Sequence, residues 1–163
     1  MPWVQALTDP DELRQCIRDL VALSTLPAIW TGYNPQQIAE SMAAAVLSML
    51  DADFVYVALP ADKRESVTDV IHLDSKIAPE ADETIRAVLR DAWLGRPEQA
   101  GAIANPAGAG TVRVAAAAIG FRGDAVIVVG SQQLNFPTEV QRLLLSIAAN
   151  DTTVALQQWN AEV

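Results

Sequence analysis

The chain has 163 residues, of which 51% are hydrophobic and 19% charged, so it can bury the core of a single domain and is not disordered. Its net charge of −9 argues against a nucleic-acid or anionic-membrane surface, because both need a basic face. One cysteine, Cys16, and one histidine, His72, exclude an internal disulfide framework, a cysteine-based zinc cluster and a histidine-rich metal site.

No run of about 20 apolar residues occurs, and the first twelve residues lack the basic and apolar stretches of a leader. The expectation is a soluble, cytoplasmic domain without membrane contact. Thr8-Asp9-Pro10-Asp11-Glu12 announces the first helix with a cap, a first-turn proline and two acids. Leu13, Cys16, Ile17, Leu20 and Ser24 form its predicted inner face, and Pro27 is expected to end it. Asn34-Pro35-Gln36-Gln37 reads as a capping box opening a second helix, with Ile38, Met42, Ala45, Val46 and Met49 inward.

Strands follow. Phe54 to Leu59 is apolar on both faces, so both sides of its sheet should be covered. A charged turn at 61–66 leads to a second strand, Val67 to Leu73. Pro79 to Glu83 opens a middle helix with Ile85, Val88, Leu89 and Ala92 inside. Residues 95–110 hold four Gly, two Pro and five Ala, a composition that predicts a flexible, lid-like loop. Two more strands, Thr111 to Ile119 and Asp124 to Gly130, are joined by a glycine hairpin at 120–123. A long helix from Thr138 to about Trp159 closes the domain. This order predicts an antiparallel α+β sandwich rather than a parallel sheet.

The last helix has two apolar stripes. Val140, Leu143, Leu144, Ile147, Ala148, Val154 and Ala155 form one; Leu145, Ala149, Thr152, Leu156 and Trp159 form the other. Two stripes imply contacts on two sides. The second meets either the first helix of the same chain or a second copy in a homodimer. Asp151, within the first stripe, needs a partner, water, or a place where the helix leaves the domain. The last is favoured, so 151–163 is read as the start of a signalling-helix linker.

Three stretches carry a family resemblance: Leu20 to Ser24 leading through Pro35 to Glu40, Asp53 to Val57, and Phe136 to Leu145 with Ala148-Ala149-Asn150. On these the chain resembles a GAF domain of the type at the input end of bacterial sensor histidine kinases, over residues 8–159. The resemblance implies a central antiparallel sheet with terminal helices on one face. A middle helix and long loop would cover the other face, where small molecules bind.

The better-known ligands of that family fit poorly. Bilin attachment needs a cysteine in the ligand-facing half, whereas Cys16 is on the first helix. The cyclic-nucleotide signature is missing, and heme has only His72 as a candidate ligand. No cofactor and no metal are therefore expected. His72 and Asp74 are too close on one strand to form a triad with Ser75. The candidate ligand-binding residues are Tyr56, His72, Arg86, Trp93 and Arg113. Arg86 forms either an ion-pair stripe or an anion clamp; Arg113 points either to water at a sheet edge or toward the ligand side.

The resulting expectation is a non-catalytic sensory module, a homodimer passing a signal through its terminal helices to an output domain in the same chain. A small molecule is the expected ligand. The alternative is a ligand-free dimerisation scaffold.

Overall fold

The computed structural model describes residues 9–59, 68–93, 100–106, 108, 110–120 and 125–161. Four helices accompany the sheet among these: α1 (Pro10–Ile29), α2 (Pro35–Met49), α3 (Asp82–Trp93) and α4 (Glu139–Ala161). The strands are β1 (Phe54–Leu59), β2 (Thr68–Leu73), β3 (Ala100–Ala104), β4 (Thr111–Ile119) and β5 (Ala125–Ser131). They form one five-stranded sheet in the order β2-β1-β5-β4-β3, antiparallel at every pairing. This is the α+β architecture expected.

Helix caps are local and follow the sequence. Asp9 accepts the Asp11 amide at the start of α1, and Asn34 and Gln37 exchange hydrogen bonds of 2.9 Å across the first turn of α2. Thr138 and Gln141 make the same reciprocal pair before α4. Pro27 does not end α1, which continues to Ile29 and closes with the Trp30 amide on the Leu26 carbonyl. A proline this near the C-terminus removes one ladder bond only.

The strand period of two sorts the sheet into two cores. Val55 and Val57 of β1, Val70 of β2, Ala115 and Ala117 of β4, and Ile127 and Val129 of β5 face α1, α2 and α4. Phe54, Tyr56, Val114, Ala116, Val126 and Val128 face α3, which contributes Ile85 and Leu89. All of β1 is buried, as a strand apolar on both sides must be. Val88 departs from the expected inner face of α3 and is exposed. The side chains of Arg90 to Trp93 lie outside the described residues, as do the turn at 61–66 and residues 121–124 of the hairpin.

The stretch expected as a loop contains β3, an edge strand whose Ala102 pairs with Arg113 of β4. Ala-Gly-Ala-Ile-Ala has almost no β-branched or aromatic bulk, so no local preference marks it; β4 supplies the pairing.

The inner face of α1 is rotated from the one expected. Cys16, Asp19, Leu23 and Leu26 are buried, while Leu13 and Ile17 face solvent. On α4 parts of both stripes share one broad buried face, where Leu144, Leu145, Ala148, Ala149, Thr152 and Ala155 lie in the core, while Val154 of the first stripe is exposed. Asp151 therefore does not mark the departure of the helix, since burial continues past it. Its Oδ2 is buried without a hydrogen-bond partner, and burial raises its pKa above the ordinary 3.8. A carboxyl whose folded-state pKa is raised contributes stability below pH 3.8 that is lost as the pH rises through the folded-state value. Asp151→Asn should consequently melt higher than wild type at pH 7, with the two curves converging in acid. Thermal unfolding across that range checks this; a variant that melts lower at pH 7 would contradict it.

Candidate functional site

The α3 side of the sheet is where the resemblance puts a ligand, and its described side chains are closely packed. Phe54, Tyr56, Ile85, Leu89, Val114 and Val128 have no exposed surface there. Tyr56 reaches this layer by strand alternation, and its phenol donates to Asp69 Oδ2 at 3.3 Å. Asp69 sits on the same face of β2 and takes an ion pair from Arg86 Nη1 at 2.6 Å. Arg86 Nη1 also donates to the Asp69 carbonyl at 3.2 Å, while its Nε is paired with Asp82 one turn back on α3. The hydrogen bond to Asp82 raises the Arg86 pKa, against the cost of burial and with Asp69 adding to the effect. Two carboxylates thus share this guanidinium and offset its charge.

The five predicted ligand residues do not converge. Tyr56 and Arg86 meet through Asp69. His72 is opposite Val55 in the β1–β2 register and so lies on the other face, the side of α2. Arg113 shares the parity of Ala115 and also faces the terminal-helix side. It is exposed at the end of β4 and donates to the Phe136 carbonyl, bracing the turn before α4. It stands on an inner strand, paired on both sides by Ala102 and Ser131, so it is neither at a sheet edge nor on the α3 side. Trp93 ends α3, with its side chain outside the described residues.

The predicted helix seam is divided as well. Leu145, Ala149 and Thr152 are buried within the chain, and the Thr152 hydroxyl is satisfied by the Ala148 carbonyl at 2.9 Å. Leu156 and Trp159 are half-buried. The first three are core and offer nothing to a second copy.

Beside the edge strand β2, Ile71, His72, Leu73, Asp74, Ser75 and Asp82 border an open depression of about 400 Å³. Its volume falls within the range of small-molecule sites, roughly 300–1,000 Å³. Its place at a sheet edge gives it no cover like that of an enclosed pocket. Among the described residues no group of three or more His, Cys, Asp or Glu is placed to hold a metal ion. Nor is any helix among them long and apolar enough to cross a membrane.

Sequence reasoning missed two carboxylates. Asp69 had a signal in its parity with Ile71 and Leu73 on β2. Asp53 is buried and bonded through both oxygens: Oδ1 pairs with Lys76 at 2.9 Å, and Oδ2 accepts the Gln132 amide at 3.0 Å. It ties the start of β1 to the ends of β2 and β5. A charge standing directly before an all-apolar strand was the clue to it.

No protein-family profile matches this sequence, and no curated protein matches it significantly. Solved structures do. One is the GAF domain of a protein described as a sensor histidine kinase from Pseudomonas syringae pv. tomato, with 12% identity and a TM-score of 0.58 over 99% of this chain and 95% of that one. Another is the GAF domain from the Acinetobacter phosphoenolpyruvate-protein phosphotransferase, with 11% identity and a TM-score of 0.53 over 94% of this chain and 97% of that one. A third is GAF3 from Slr1393 of Synechocystis sp. PCC6803 in its photoproduct state, with 16% identity and a TM-score of 0.54 over 78% of this chain and 96% of that one. The chain has the GAF fold.

Proposed function

We propose that this chain is a non-catalytic regulatory GAF module of a signal-transduction protein, such as a sensor histidine kinase. It acts as a homodimer whose terminal helices carry the signal to an output domain in the same chain. The observation behind this reading is the α3 side of the sheet: six of its described side chains are fully buried, and Arg86 is paired with both Asp69 and Asp82. What remains available for regulation is the pair of terminal helices, α1 and α4, which pack on each other. Fold alone does not carry function, so the neighbour from a sensor histidine kinase supports this reading without establishing it.

The depression beside β2 favours a second reading, a sensor that takes a small molecule at the sheet edge. Native mass spectrometry of protein purified from a rich extract, set against its denatured mass, separates the two. Twice the bare chain mass, with nothing added, is expected. A retained small molecule in stoichiometric amount would overturn the ligand-free version and supply the size of the ligand.

A further inference from the structure

β2 is an edge strand whose outer side is open. It pairs with β1 alone among the described residues. The Asp74 amide donates to the Asp53 carbonyl at the start of β1. Strand alternation therefore turns the backbone groups of Leu73, Ile71 and Asp69 the other way, out of the sheet. The Asp69 carbonyl has this parity, because it accepts from Arg86 of α3. Nothing among the described residues takes the outward N–H and C=O groups of Ile71 and Leu73. Edge strands are ordinarily blunted by lysine, proline or a bulge. Thr68 to Leu73 contains neither residue, and its register against β1 runs unbroken.

The depression of about 400 Å³ opens along this same edge. Its walls are of two kinds. Ile71, Leu73, Ile77 and Pro79 are apolar, whereas Asp74 and Asp82 are carboxylates. Asp74 uses only Oδ2, on Lys76, and Asp82 only Oδ1, on Arg86. Asp74 Oδ1 and Asp82 Oδ2 are thus without a partner among the described residues. The two neighbouring cations are drawn elsewhere as well: the Lys76 ammonium goes to Asp53 at 2.9 Å, and Arg86 also serves Asp69. Residues 74–86 carry four acids against two bases, in a chain of net charge −9. An apolar wall with unpaired carboxylate oxygens matches an arginine or lysine side chain, whose stem is apolar and whose head is cationic.

We propose that β2 is a docking edge for an extended segment of a partner protein. The segment adds as a strand through the Ile71 and Leu73 backbone and sets one basic side chain in the depression. Main-chain hydrogen bonds supply the affinity and the depression supplies the selectivity. A free small cation is the poorer occupant. Sites for small molecules bury roughly 70–90% of the ligand, which an open depression at a sheet edge does not do, and such a ligand leaves the Ile71 and Leu73 groups unused. This inference goes beyond the regulatory reading and does not require the chain to pair. It gives the module an input from another protein.

The probe is a capped hexapeptide of threonine and valine with one central arginine, titrated into the full chain. At saturation, amide hydrogen exchange should slow by about 10-fold or more at Ile71 and Leu73, whose N–H groups become bonded. Val70 and His72, already turned toward β1, should be unchanged. Asp74→Asn combined with Asp82→Asn should weaken the peptide by about 10-fold or more. Glutamine in place of the peptide's arginine should do the same while leaving the domain untouched. The absence of saturable binding overturns the proposal, as does binding that leaves Ile71 and Leu73 unprotected or that is indifferent to both charge changes. N-acetylarginine amide binding as tightly as the hexapeptide also overturns it, since the depression is then a small-cation site. None of these results bears on the dimeric reading.

Discussion

Gly130→Ala should destabilise this domain at or above the upper end of the roughly 1–3 kcal/mol typical of overpacking. Gly130 lies opposite Phe54 in the β1–β5 register. A Cβ there would stand 2.1 Å from Phe54 Cζ and 2.4 Å from Cε1, distances no real contact shows. The clash is with a ring edge, and a flexible side chain would move aside. Phe54 cannot, because it is fully buried between Tyr56, Val128 and the α3 layer. The glycine is therefore kept for the space it leaves, and its φ is not involved. Phe54→Ala removes the obstacle at its own cost of about 3–5 kcal/mol. In the double variant Gly130→Ala/Phe54→Ala the added methyl should cost almost nothing, giving strong non-additivity in urea unfolding. Additive losses would show that the ring and the glycine are not in contact.

The second large effect is expected at Asp69. Breaking a buried ion pair typically costs about 3–5 kcal/mol. Here the Arg86 side chain keeps 30% of its surface exposed and retains Asp82, so Asp69→Ala should cost roughly 2 kcal/mol. Asp82→Ala supplies the comparison on the same guanidinium. The Asp82 side chain is 37% exposed against 12% for Asp69, so its loss should cost under about 1 kcal/mol. Equal losses would mean that burial does not set the strength of these contacts.

How far the fold could be read from the sequence depended on whether the signal was local. The Asn34–Gln37 capping box, the doubly buried β1 and the α3 face with Ile85 and Leu89 follow from residues within one or two turns of each other. β3 does not, because Ala-Gly-Ala-Ile-Ala becomes a strand only through β4. α1 shows a different limit. Periodicity finds apolar faces, but a helix with two of them does not say which one turns inward. The expected face therefore took Leu13 and Ile17 as core, and the structure buries Leu23 and Leu26 in their place. The same ambiguity split α4 into two stripes, whereas its neighbours bury parts of both on one face and leave Val154 exposed. Tyr56 and Arg86 were identifiable as candidates; their junction at Asp69 required the β1–β2 register, which no single segment contains.

Light scattering of the full chain at successive dilutions tests the central claim, a regulatory module working as a pair, most directly. A particle of twice the 17.5 kDa chain mass that dissociates on dilution is the predicted result. A particle of 17.5 kDa at every concentration would contradict it.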